Sequence, residues 1–120
     1  MRVLDIVMAV LLIGFGLVHF IAGLFNGSVT EGTMWSLGAG LFMVLVGALN
    51  LLRVRYGAIA FGVRAVSAAA NVVLLGFSIV LAGALGIAHH MHSMAVVGVV
   101  LAATLLSFWP TRKQARAAER

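Results

Sequence analysis

Four long apolar segments dominate this chain, at residues 3–25, 34–52, 65–88 and 94–109. A membrane's hydrocarbon core of ~30 Å is crossed by about 20 helical residues, and the connections between the segments are too short for a soluble domain. Only 9% of the 120 residues are charged, against about 25% in soluble domains. The sequence therefore predicts an all-α membrane protein with a single domain, residues 1–120, folded as a compact bundle of four transmembrane helices with short loops.

The placement of positive charge predicts the orientation of this bundle. All eight Lys and Arg residues lie near the N-terminus, between the second and third spans, or near the C-terminus. With four spans these segments share one side of the membrane, and positive residues stay on the cytoplasmic side. We therefore expect a bacterial cytoplasmic (inner) membrane protein with both termini in the cytoplasm and residues 26–33 and 89–93 outside. The net charge of +5 is therefore explained by the orientation of the chain in the membrane. The expected partner is a lipid bilayer, and we expect no nucleic acid as partner.

Small residues at helical spacing predict where the helices pack, because they let helix backbones approach closely in a membrane. Spacings of three and four residues select one face of a helix. On this basis we expect the first two helices to share a seam that also includes His19. The predicted packing glycines are Gly16 and Gly23 in the first span, Gly40 and Gly47 in the second, and Gly76 and Gly83 in the third.

Polar residues in the inner half of the membrane predict further contacts. Asn50 and Asn71 are expected to bond each other or free carbonyl groups, with the lining of a polar pathway as the alternative. Asp5, at the inner boundary, is expected to form a structural ion pair with Arg64. The chain has no cysteine, which excludes disulfides and thiolate metal sites.

The histidines are the candidate ligands of this chain. All four lie in the predicted outer half together with Glu31, the one acidic residue there. Imidazole suits zinc, copper, iron and nickel, and an ionisable residue within a span is a functional candidate. The candidate ligands of a divalent metal ion are His19, Glu31, His89, His90 and His92.

Two other chemistries use the same residues. In one, His19 and either His89 or His90 hold a b-type haem as axial ligands, or line a quinone site. In the other, His19 titrates near neutral pH and relays protons. No spacing is diagnostic of a metal site, and His19 lies deeper than the other histidines, which disfavours a haem with two facing ligands. We therefore favour a packing role for His19 and an interfacial loop for the rest.

The first span ends in "AGLF" and the Gly-rich second span in "GALNLL". With these ends and four short helices, the chain resembles small bacterial four-helix membrane proteins, and DoxX-like proteins are similar to it in size and topology. This similarity implies a fold of four helices. It does not assign a function to any individual residue of this chain. No nucleophile–base pair, phosphate loop or paired carboxylate occurs, so we do not expect an enzyme.

Three functions remain as expectations. The first is a small inner-membrane protein that works as a homo-oligomer or as an accessory subunit of a larger membrane complex, because its glycine seams offer flat faces to a partner. The second is a small dimeric transporter or channel with an outer-facing His-rich site. The third is a redox membrane anchor that holds haem or quinone.

Overall fold

The computed structural model describes residues 2–25, 27–84 and 91–109, without the side chains of 84 and 91–93. This part of the chain is helical, as predicted, apart from short connections. Its helices are α1 (Arg2–Phe25), α2 (Glu31–Tyr56), α3 (Phe61–Ala84) and α4 (Met91–Ser107).

Three of these helices are long and apolar enough to cross a membrane, namely α1, α2 and residues Phe61–Gly83 of α3. The fourth is short, since its apolar part runs only over Met94–Ser107. With 17 residues, α4 rises about 26 Å at ~1.5 Å per residue, slightly less than the ~30 Å hydrocarbon core. Of the four predicted spans, the structure therefore supports three by length and composition.

Helix α2 extends beyond its predicted span at both ends, and α3 begins earlier than predicted. Helix α2 begins at Glu31 because Thr30 caps it, with the Thr30 hydroxyl oxygen accepting a hydrogen bond from the Thr33 backbone N–H at 3.2 Å. It continues to Tyr56, and α3 begins at Phe61, so only 57–60 connect the two helices. Hydropathy identifies only the residues that can lie in the hydrocarbon core. The helix itself continues through Arg53 and Arg55, because arginine is a good helix former.

The closest helix pair is α1 and α2, and their paired residues show that they run antiparallel. Gly16, Gly23, Gly40 and Gly47 are all buried on this contact. A Cβ atom added at Gly40 would lie 2.6 Å from the carbonyl oxygen of Gly16, and one at Gly47 would lie 2.8 Å from the carbonyl oxygen of Ala9. The two backbones therefore touch directly, which only residues without a side chain permit.

Gly76 and Gly83, the predicted packing glycines of α3, contact no other helix among the described residues. Both are exposed, and a Cβ atom at either would meet no other atom within 4 Å. The face of α3 that turns inward carries Ser67, Asn71 and Leu74 instead. Small residues occur around the whole circumference of α3, so their spacing did not identify the buried face.

The four helices form a closed ring in which α1 contacts α2, α2 contacts α3, α3 contacts α4, and α4 contacts α1. The core between them consists of Leu12, Met43, Val46, Leu74, Val100 and Ala103. We call the end of the bundle that holds Arg53 and the 57–60 connection the basic end. The opposite end, which holds His19 and Glu31, is the far end.

Candidate functional site

A cavity of about 580 Å³ lies at the far end of the bundle. This volume is in the range of ~300–1,000 Å³ that is usual for sites of small molecules. Its wall is mostly apolar and includes residues from all four helices. The apolar side chains that form it include Trp35 and Met43 of α2, Leu74, Phe77 and Leu81 of α3, and Val96 and Val97 of α4.

Two aromatic rings form one side of the cavity. Trp35, in the second turn of α2, stacks on Phe77 of α3, with the ring centroids 6.2 Å apart and the planes 20° from parallel. Trp35 remains 59% exposed and lines the cavity, so its indole ring is not covered by its neighbours in the chain. Deeper in the cavity, the buried side chains of Met43 and Leu74 contribute to the floor.

Four polar residues also line this cavity: His19, Glu31, Ser36 and Ser78. The hydroxyl group of Ser36 donates to the backbone carbonyl of His19 at 3.1 Å, and that of Ser78 donates to the carbonyl of Leu74 at 2.8 Å. Glu31 is exposed, and its carboxylate accepts a long bond of 3.5 Å from the Trp35 indole N–H. The cavity thus combines an apolar body with a carboxylate.

The structure brings together two of the predicted metal and cofactor ligands, because His19 and Glu31 line the same cavity. His89 and His90 lie outside the described residues, and so does the side chain of His92. Within the described ranges, no group of three or more His, Cys, Asp or Glu residues could hold a metal ion. The metal and haem sites therefore remain predictions.

Trp35 and Phe77 are the site residues that sequence reasoning missed. Trp35 had one signal, its position at the start of an apolar span, where an indole ring suits the membrane interface. Phe77 had none, since it is one apolar residue among many in α3. The side of α3 that faces the cavity is apparent only once the helices are packed.

A buried polar network lies between the cavity and the basic end. Asn50 and Asn71 exchange two amide hydrogen bonds, each 2.9 Å long, which confirms the predicted pairing. The Ser67 hydroxyl also donates to the Asn50 side-chain oxygen at 2.9 Å. From α4, the Thr104 hydroxyl donates to the Val100 carbonyl of its own helix at 2.7 Å and lies 3.3 Å from the backbone carbonyl of Asn71. The side-chain bonds of this network therefore join α2 and α3, and Thr104 of α4 lies against it.

An ion pair lies at the basic end of the bundle. Arg53 donates to Asp5 at 2.7 Å and to the backbone carbonyl of Leu106 at 3.0 Å, so it links α2 to α1 and α4. The prediction that Asp5 pairs with Arg64 is wrong. Arg53 lies one helical turn from the buried Asn50 on the inward face of α2, whereas the guanidinium of Arg64 lies over the ring of Phe61 on its own helix.

Comparison with known proteins adds no relative: no family model, curated protein or solved structure matches this chain. The similarity to DoxX-like proteins thus rests on size and number of spans alone.

Proposed function

We propose that this protein binds a small, mostly apolar molecule inside its membrane domain. The observation that carries this proposal is the cavity of about 580 Å³ at the far end. Sites for small molecules are typically concave, largely apolar and provided with a few polar groups that orient the ligand. Here the aromatic rings of Trp35 and Phe77 supply apolar contact area, while Glu31 and His19 supply polar groups.

We further propose that α4 crosses the membrane as the fourth span, with both termini on the cytoplasmic side of a bacterial inner membrane. The support is the charge pattern, since no Lys or Arg occurs at residues 3–52 or 65–111. Positive residues are retained on the cytoplasmic side. On this orientation the cavity opens toward the outer face, where a ligand enters from outside or from the outer leaflet.

A role as an oligomer or as a subunit of a larger membrane complex is the second candidate. Its original support has weakened, because Gly16, Gly23, Gly40 and Gly47 are used within the chain. One observation still favours it: Gly76 and Gly83 leave the outward face of α3 open to a neighbouring helix. The mass of the purified protein in detergent, measured by light scattering, distinguishes a monomer from an assembly.

Binding is tested by fluorescence of the protein in lipid nanodiscs. The variant Trp109→Phe removes the tryptophan outside the cavity and leaves Trp35 as the reporter. A neutral brominated naphthalene should quench Trp35 with a saturable component, because a heavy atom in the cavity lies close to the indole ring. Partition of the probe into lipid produces quenching that rises linearly with probe concentration. Quenching that is only linear would therefore contradict the proposal.

A matched pair of variants locates the binding. Ala39→Phe places a ring in the cavity wall and should remove the saturable component, since Ala39 lines the cavity. Ala48→Phe adds the same ring to an exposed position of the same helix and should leave the component unchanged. Equal effects of the two substitutions would place the probe outside the cavity.

The predicted haem and metal sites are tested on the same protein. A Soret band would support the haem-anchor function, and equimolar zinc, copper or nickel would support a metal site. In either case His19→Leu should abolish binding, because His19 is common to both predicted ligand sets. A colourless, metal-free preparation that still binds the neutral probe would favour the apolar-ligand function over both.

A further inference from the structure

We propose that the ligand of the cavity is an amphipathic organic cation. Its charged group lies against the Trp35 ring next to the Glu31 carboxylate, and its apolar body fills the space lined by Phe77, Leu74 and Met43. This inference rests on the proposed binding function and names the chemical class of the ligand.

The first argument is the charge at the far end. Of the acidic residues, Asp5 is already paired with Arg53 at the basic end, and Glu119 belongs to the C-terminal segment. Glu31 has no Lys or Arg close to it in sequence, since none occurs at residues 3–52. α3 and α4 also bring none to the cavity, because their stretch from 65 to 109 contains none. Glu31 is therefore the one acidic residue among the described residues of the lining, and its carboxylate attracts cations and repels anions.

The second argument is the aromatic surface next to that carboxylate. The indole N–H of Trp35 lies 3.5 Å from a carboxylate oxygen of Glu31, so the ring and the negative charge are adjacent. Tryptophan is the aromatic residue that binds cations best through its ring face, and organic ammonium groups are typical ligands of such surfaces. Phe77, stacked 6.2 Å away, extends the aromatic wall toward the apolar floor.

The third argument concerns which hydrogen-bonding atoms are left for a ligand. The hydroxyl protons of Ser36 and Ser78 are already donated to backbone carbonyls, and the indole N–H of Trp35 is directed at Glu31. The oxygens of Ser36, Ser78 and Glu31 remain as acceptors, and the imidazole of His19 is the other polar group of the wall. A neutral quinone needs donors for its carbonyl oxygens, whereas an organic cation, above all a protonated amine, is matched by acceptors.

A pair of probes with nearly the same shape and opposite charge tests this inference. Tetraphenylphosphonium is the cation, tetraphenylborate is the anion, and brominated naphthalene is the neutral reference. Binding is measured by equilibrium dialysis against nanodiscs of zwitterionic lipid, with empty nanodiscs subtracted. We expect saturable binding of the cation and the neutral probe, and none of the anion.

Substitution of the carboxylate supplies the second measurement. Glu31→Gln should weaken binding of the cation by about tenfold or more, because it removes the charge next to the ring. Its effect on the affinity for the neutral probe, which carries no charge, should be much smaller, and far-UV circular dichroism reports whether the variant is folded. Glu119→Gln removes the same charge from the C-terminal segment and should change neither affinity.

The outcomes separate the two proposals. If the neutral probe binds saturably, two results would overturn the cation inference and leave the binding function intact. One is binding of the anion as well as the cation, and the other is an unchanged affinity for the cation in Glu31→Gln. Failure of all three probes to saturate would overturn both.

Discussion

The direct contact of the α1 and α2 backbones gives the sharpest prediction about stability. Gly40 lies in the middle of α2, and a Cβ atom there would be 2.6 Å from the Gly16 carbonyl oxygen and 2.6 Å from the Phe20 nitrogen. Both atoms belong to backbone, so they cannot rotate away as a side chain would. In the variant Gly40→Ala the two helices must move apart by about 0.8 Å to restore contact at 3.4 Å.

The expected loss follows from the length of this contact. Because Gly16, Gly23 and Gly47 lie on the same seam, separation at Gly40 loosens packing along much of α1. Forcing one extra carbon into well-packed surroundings costs typically ~1–3 kcal/mol. The matched control is Gly38→Ala, two residues earlier, where a Cβ atom meets nothing within 4 Å. It should be neutral or stabilise by up to about 1 kcal/mol through helix propensity.

The assay is unfolding of the purified protein in mild detergent by increasing SDS, followed by circular dichroism and tryptophan fluorescence. Gly40→Ala should unfold at lower SDS than the original protein, with a free energy of unfolding reduced by about 1–3 kcal/mol. Gly38→Ala should not. Equal midpoints for the two variants would refute the close approach of the α1 and α2 backbones.

Three further predictions concern the rest of the bundle. Asn71→Leu should lower the free energy of unfolding by about 1–2 kcal/mol, and the double variant with Asn50→Leu should lose less than the sum of the singles; strict additivity would contradict their pairing. Asp5→Ala should cost about 3 kcal/mol in the same SDS titration, because it leaves the buried Arg53 without its counter-ion; an unchanged midpoint would show that the pair contributes nothing. A fluorescent reporter at the C-terminus should be cytoplasmic and a tag within 28–32 external, and an external C-terminus would invert the proposed orientation.

Local composition was enough to predict the helices and part of the polar network. The apolar segments indicated membrane helices because crossing hydrocarbon requires every backbone group to be bonded within the segment. Asn50 and Asn71 could be expected to bond each other or free carbonyl groups because a buried amide in an apolar bundle needs a partner, and both were placed in the inner half of the membrane. The boundaries were less accurate, since α2 and α3 continue past the apolar residues to Tyr56 and from Phe61.

The sequence alone thus determined that the chain is built of apolar helices, and that positive charge is segregated from the histidines and Glu31. Only the tertiary structure decided which face of each helix is inward: that Gly40 is buried while Gly76 is open, and that Asp5 meets Arg53. The cavity likewise exists only because the four helices pack together, since its wall includes residues from all of them. The physical reason is that lipid and protein interior are about equally apolar, so hydrophobicity does not distinguish the faces of such a helix. Steric fit between neighbouring helices makes that choice, and it depends on residues far apart in the chain.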